Sequence, residues 1–102
     1  MNGITTTVYI VRCADGSYYT GSTKQEVEAR VWEHNNLPSE KSFTARRRPV
    51  TLVFAETCDR ITDAIARERQ IKGWSRTKKE ALIALQYERL PGKSRRSHLN
   101  DR

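Results

Sequence analysis

The stretch from Val8 to Gly21 constrains the fold most, because its backbone groups are readily satisfied as a tight β-hairpin. β-Branched and aromatic residues fill both arms around the turn sequence Ala14-Asp15-Gly16. Ala-Asp-Gly suits a three-residue loop with two right-handed positions and a left-handed Gly16 that forms a bulge. That loop pairs Cys13 with Ser17 and puts Tyr9, Val11, Tyr19 and Gly21 on one face. A two-residue Asp15-Gly16 loop would instead separate the tyrosines, so the loop length has chemical consequences.

Downstream, Lys24 to about Asn35 reads as a first helix, with acidic residues in its first turn and Val27 and Val31 one turn apart as an inward face. Asn35-Asn36-Leu37-Pro38-Ser39 ends it, and the chain to Pro49 reads as loop. Val50 to Glu56 reads as a third strand, and its run Val50-Leu52-Val53-Phe54, apolar on both faces, predicts a central position in the sheet. Thr62 is placed to cap a second helix that runs to about Gly73. Thr77 and Glu80 have capping-box spacing for a third helix, with Ala81, Leu82 and Leu85 as its core stripe and an end near Tyr87. The order β-β-α-β-α-α implies an α/β (α+β) domain, a small antiparallel or mixed sheet covered by helices. With 102 residues the chain has material for one core. We place that domain at residues 1–88 and expect residues 89–102 to form a mobile basic tail.

Charge narrows the partners. The net charge is +7 and the pI near 9.9, so the folded surface should attract a polyanion and release counterions on binding it. The excess leans toward the second half, +2 over residues 1–51 against +5 over residues 52–102. Nucleic acid is the leading candidate partner; anionic lipid or an acidic protein ranks lower, because no helix is strongly amphipathic and cationic. Cys13 and Cys58 lack metal or redox spacing and suit buried apolar positions in a reducing, cytoplasmic setting. No apolar run approaches the ~20 residues of a membrane span, and Met1 to Thr7 lacks the segments of a signal peptide.

Three residues stand out chemically. Arg30 and His34, four positions apart, fall at the border of the face that holds Val27 and Val31. Glu68 falls between Ile65 and Ala64 on the helical wheel and near Ile61 and Ile71, the middle of an apolar stripe. A carboxylate buried there without a partner would cost several kcal/mol, so it calls for a cation. Lys72 or Arg30 would make it a structural pair; a metal ion would make it a catalytic ligand.

In order and spacing, Val8-Tyr9-Ile10, Tyr19-Thr20-Gly21, Arg30, His34 and Glu68 resemble the GIY-YIG nuclease superfamily. Arg12-Cys13-Ala14-Asp15-Gly16-Ser17 and Gln70-Ile71-Lys72-Gly73-Trp74-Ser75 look like its small stand-alone bacterial branch. The resemblance implies a three-stranded antiparallel sheet flanked by three helices. It implies an endonuclease, a metal-dependent phosphodiester hydrolase acting on nucleic acid, DNA before RNA, by tyrosine-assisted attack of water with one divalent cation, Mg²⁺ or Mn²⁺. Glu68 would hold the cation, Arg30 would stabilise the transition-state charge, and His34 would polarise a tyrosine hydroxyl. Of the two phenols, Tyr9 would assist deprotonation of water and Tyr19 would position water or phosphate. A phenol of ordinary pKa near ~10 becomes a usable base only when cations such as Arg30, a protonated His34 or the metal lower it.

The sequence departs from the family pattern where Thr7-Val8 replaces the first glycine and Thr20 the isoleucine of the second motif. The last helix also lacks an asparagine, so that its phosphate-positioning role is either unfilled or passes to Lys78 or Lys79. Candidate nucleic-acid contacts are Arg46, Arg47, Arg48, Lys72, Arg76, Lys78 and Lys79. Nothing resembles a sequence-reading module, so we expect selectivity for DNA structure, as in repair, or dependence on a partner, with a monomer as the working state. The rival reading is a noncatalytic nucleic-acid-binding module on the same fold.

Overall fold

Strand β1, Thr6–Arg12, forms the centre of the sheet, hydrogen-bonded on both sides in the order β2-β1-β3. The computed structural model describes residues 5–38 and 43–89. The expected basic tail over 89–102 therefore lies almost wholly outside the described residues. Around β1 run β2, Tyr18–Thr23, helix α1, Val27–Asn36, β3, Thr51–Cys58, α2, Ile61–Lys72, and α3, Arg76–Arg89. Both strand pairings are antiparallel, and the element order is the one read from sequence.

The hairpin closes as its composition predicts. Cys13 and Ser17 are joined by a backbone hydrogen bond of 2.8 Å, and Gly16 has φ +88°, which a side chain would resist. Tyr9 faces Gly21 across the ladder and Val11 faces Tyr19, so the two tyrosines share a face.

β1 is covered on both faces. Val8 and Ile10 pack with Phe54, Ala64 and Ile71 under α2 and α3; Tyr9 and Val11 pack with Cys13 and Val50 under α1, where Val27 and Val31 add their side chains. β3 is an edge strand, contrary to the central position its composition suggested. A two-sided apolar pattern reports that both faces of a strand are covered, not that it has neighbours at both edges. The ladder skips between Ile10, opposite Phe54, and Val11, opposite Leu52, and this irregularity lets Val53 and Phe54 serve one core while Leu52 serves the other. The free edge of β3 is partly covered by Gln86 of α3, whose amide nitrogen donates to the carbonyl of Ala55 and whose oxygen accepts from its N–H.

Helix boundaries depart from the sequence reading for local reasons. α1 begins at Val27, not Lys24, because the Thr23 hydroxyl accepts the Gln25 N–H and holds the chain in a turn. α2 begins at Ile61 and lacks a side-chain cap, so Thr62 lies inside it, while Gly73 ends it in right-handed conformation. α3 is capped by Ser75, whose hydroxyl accepts the Lys78 N–H. Thr77 and Glu80 lie one position or more inside, and Glu80 accepts from the Tyr18 hydroxyl and pairs with Arg76. Leu82 and Ile83 face the core, whereas Ala81 and Leu85 are exposed. No helix among the described residues is long and apolar enough to cross a membrane.

Candidate active site

Tyr9, Tyr19 and His34 meet on the α1 face of the sheet. The Tyr9 hydroxyl lies 2.8 Å from His34 Nε2, and the His34 ring is 5.9 Å from the Tyr9 ring and 5.4 Å from the Tyr19 ring. His34 sits at the end of α1 and is 5% exposed, a burial that a lone helix-edge histidine would not have. Its other nitrogen, Nδ1, lies 2.9 Å from Thr44 Oγ1, so both ring nitrogens have partners. Gly21 makes this packing possible: a Cβ there would stand 2.8 Å from the Tyr9 oxygen and 3.0 Å from Tyr19.

The electrostatics correct one expectation. Burial, reinforced by Tyr19 and opposed by Arg30, pushes the Tyr9 phenol up to about 12. His34 is held below the ordinary histidine value by burial and by Arg30, with Glu33 opposing and Arg48 assisting. His34 is thus a neutral imidazole at neutral pH, not the cation that would make Tyr9 acidic. Burial and the Arg30 charge act in the same direction, because an imidazolium at this position would lose solvent beside a guanidinium, and Glu33 offsets only part of that. Arg30 supplies the nearby positive charge and pairs with Glu33 at 3.0 Å, not with Glu68.

Glu68 approaches from the other face. α2 buries Ala64 and Ile71 while Ile61 and Ile65 are exposed, so Glu68 stands at the rim of the buried stripe and not at its centre. At the open edge of β2 its Oε1 accepts from the Ser22 hydroxyl at 2.7 Å and its Oε2 pairs with Lys72 at 2.8 Å. Partial burial would raise its pKa, but the Lys72 and Ser22 hydrogen bonds and the charges of Lys72 and Arg69 win and hold it below the ordinary carboxylate range. Ser22 is paired with Val8, next to the Tyr9–Gly21 pair, so the carboxylate and the phenols flank β2 from opposite sides. Glu68 is close enough to raise the Tyr9 pKa and Tyr19 to raise that of Lys72, which joins the two groups electrostatically without direct contact.

A hollow of about 270 Å³ is lined by Arg30, Glu33, His34, Thr44 and Arg48, and a second of about 500 Å³, beside Lys24 and Thr57, includes none of the five expected residues. Neither is a single cavity shared by both phenols and Glu68. The candidate site is an edge across β2.

The basic residues divide by position. Arg48 donates to the carbonyls of His34 and Leu37 and so secures the C-terminal end of α1. Arg47 is held by Asp15 and by the Phe43 carbonyl, with its guanidinium 3.9 Å from the Phe43 ring, and Phe43 stacks on Tyr19. Arg46 is exposed. Lys72 stands at Glu68. Arg76 lies over Tyr18 and bonds the Gly16 carbonyl, and Lys78 lies over Trp74. Tyr18 and Trp74 belong to the α2–α3 core, so Arg76, Lys78 and the adjacent Lys79 are not gathered with the phenols. Two residues of the site were missed from sequence. Ser22 directly follows the Tyr-Thr-Gly motif and could have been found by strand alternation; Thr44 lies in a loop where no periodicity marks it.

A family model described as GIY-YIG catalytic domain matches residues 5–81. A UPF0213 protein of Staphylococcus saprophyticus is 48% identical over 77 residues, covering 76% of this chain and 92% of its own length. A UPF0213 protein of Halobacterium salinarum is 48% identical over 76 residues, covering 74% and 96%. In three dimensions the chain is similar to the solution NMR structure of the UPF0213 protein BH0048 from Bacillus halodurans, with a TM-score of 0.52, 31% identity, and coverage of 80% of this chain and 85% of that one. The strand order, the shared face of the two tyrosines and the extent of these matches agree: the chain belongs to the GIY-YIG family.

Proposed function

We propose that this protein is an endonuclease that hydrolyses phosphodiester bonds in nucleic acid, DNA in preference to RNA, at the edge of β2. The observation that carries the reading is the hydrogen bond of 2.8 Å between Tyr9 and a buried, neutral His34, set beside Arg30 and Tyr19. A neutral imidazole can take a proton from a phenol, which lets the phenol take one from water without first becoming an anion. Tyr19, only partly buried, is the phenol a phosphate meets first; Tyr9, 1% exposed, is the one with an outlet for its proton. Tyr19 and Arg30 are the groups beside Tyr9 that a phosphate and its attacking water would meet. Arg30 then faces the charge that builds on the phosphoryl oxygens.

Glu68 suits one divalent cation. Its carboxylate is ionised and stands at an open strand edge, and its partner Lys72 is half exposed, so that a cation could replace the ammonium at Oε2. Among the described residues no group of three His, Cys, Asp or Glu side chains is placed to hold a metal. A single carboxylate fits Mg²⁺ or Mn²⁺, which retain waters and take substrate phosphate oxygens as further ligands. When bound, such a cation supplies charge stabilisation to the phosphate and its leaving oxygen.

The test is a panel of labelled DNA and RNA, branched, nicked and single-stranded, incubated with Mg²⁺, Mn²⁺ or chelator beside Glu68→Ala. Metal-stimulated cutting is expected in the native chain, with Glu68→Ala losing cleavage while it retains much of its binding. Cleavage by Glu68→Ala at the native rate would sink the metal assignment. A second reading, a noncatalytic binding module, is favoured by one observation: Tyr9, His34 and Glu68 are all internally satisfied. Steeply salt-dependent binding without cutting on any substrate would establish it.

A further inference from the structure

We propose that Thr44 is a positioning residue that accepts from the Nδ1–H of His34 and so supports the tautomer whose Nε2 takes the Tyr9 hydroxyl proton. Thr44 is 1% exposed, and its Oγ1 is 2.9 Å from His34 Nδ1 while Tyr9 is 2.8 Å from Nε2. A neutral imidazole has one donor and one acceptor nitrogen, so this chain has two possible directions. If Nε2 carried the proton it would donate to the Tyr9 oxygen, and the buried Tyr9 proton would need another acceptor. Among the described residues the one acceptor recorded for that hydroxyl is Nε2. The guanidinium of Arg30 also favours the phenolate and competes for the Tyr9 oxygen as a donor, not as an acceptor. The direction that gives the Tyr9 proton an acceptor and both ring nitrogens a partner runs from the Tyr9 O–H to Nε2 and from Nδ1–H to the Thr44 oxygen.

The groups that face His34 are Tyr9 from β1, Tyr19 from β2, Arg30 and Glu33 from α1, and Thr44 and Arg48 from the segment before β3. Thr44 is the one among them that contacts Nδ1. In the hydrolysis proposed above, one proton leaves the attacking water for the Tyr9 oxygen while the Tyr9 proton passes to Nε2. The water oxygen bonds to phosphorus, the bond from phosphorus to the leaving oxygen breaks, and that oxygen takes a proton from solvent. His34 finishes as an imidazolium with both N–H groups donating, to Tyr9 and to Thr44. The consequence for rate rests on the nuclease reading; the tautomer does not.

The experiment uses ¹⁵N-labelled full-length protein carrying His98→Gln, so that His34 is the remaining imidazole, and reads the long-range nitrogen–proton couplings above the His34 titration. The Nδ1–H pattern is expected in this protein and in Thr44→Ser, and a mixture of the two tautomers in Thr44→Val, where Nδ1–H loses its acceptor while Tyr9 still calls for Nε2. Cleavage by Thr44→Val should fall about tenfold or more while Thr44→Ser is largely restored. An Nε2–H pattern in the unsubstituted site, or an unchanged pattern in Thr44→Val, overturns the proposal. If Thr44→Val does not fold, Thr44→Ala takes its place, and an unchanged Nδ1–H pattern there overturns the proposal. If no nucleic acid is cut yet the tautomer shifts as stated, the nuclease reading fails and the role of Thr44 stands.

Discussion

The two faces of β1 are buried to the same extent and filled with different chemistry. On the α2–α3 side Val8 and Ile10 meet Phe54, Ala64 and Ile71, with Thr20 buried opposite Ile10 and the titratable Tyr18 and Cys58 only partly buried at the margin. On the α1 side Tyr9 and Val11 meet Cys13, Val50 and Tyr19, with His34 and Thr44 buried beside them. The first face stabilises through apolar area removed from water. The second gives up part of that stabilisation, since each buried polar atom must find a partner before it contributes anything. A domain with a 36% hydrophobic composition has little surplus with which to offset such groups, which argues that they are kept for chemistry.

Substitutions on the two faces should therefore separate rate from stability. Tyr9→Phe keeps the ring and removes the hydroxyl, so single-turnover cleavage should fall by about 10²- to 10⁴-fold. Its cost in stability should be only ~1–3 kcal/mol, from the unpaired His34 nitrogen. Native cleavage by this variant would break the comparison, because the α1 face would then be structural as well. Ile71→Ala should do the reverse. It opens a cavity worth about 2–5 kcal/mol on denaturant unfolding, while cleavage per folded molecule, measured well below the midpoint, stays close to that of the unsubstituted protein.

The smallest effect concerns acid. His34 titrates below its ordinary value of 6.5 in the folded chain, so the unfolded chain takes up a proton that the folded chain refuses. The stability involved is present in full above 6.5 and is lost as the pH falls toward the lowered value. Thermal unfolding followed from about pH 7.5 to 5.5 should show this decline, and His34→Gln should flatten it. An unchanged slope in the variant would mean that the burial of His34 does not govern its charge.

Legibility followed the range of the interaction that decides each feature. Ala14-Asp15-Gly16 determined the hairpin loop, and with it the placing of Tyr9 and Tyr19 on one face, because turn geometry and strand alternation are properties of neighbouring residues. The order β-β-α-β-α-α was readable for the same reason. The edge position of β3 was not, since Leu52, Val53 and Phe54 record which faces are covered and not which strand lies alongside. Nor was the start of α3, where Ser75 and Thr77 are both competent caps and the demands of Tyr18 and Arg76 on Glu80 decide between them.

The same division holds at the candidate site. The sequence by itself determined which residue types are available and which strand or helix carries each: two phenols on a hairpin, Arg30 and His34 on one helix, Glu68 on another. Only the tertiary structure decided that His34 is neutral, that Thr44 holds its second nitrogen, and that Glu68 reaches Ser22 and Lys72 around the edge of β2. Burial and the partners of a titratable group are sums over segments far apart in the chain, and those sums exist only once the segments have packed.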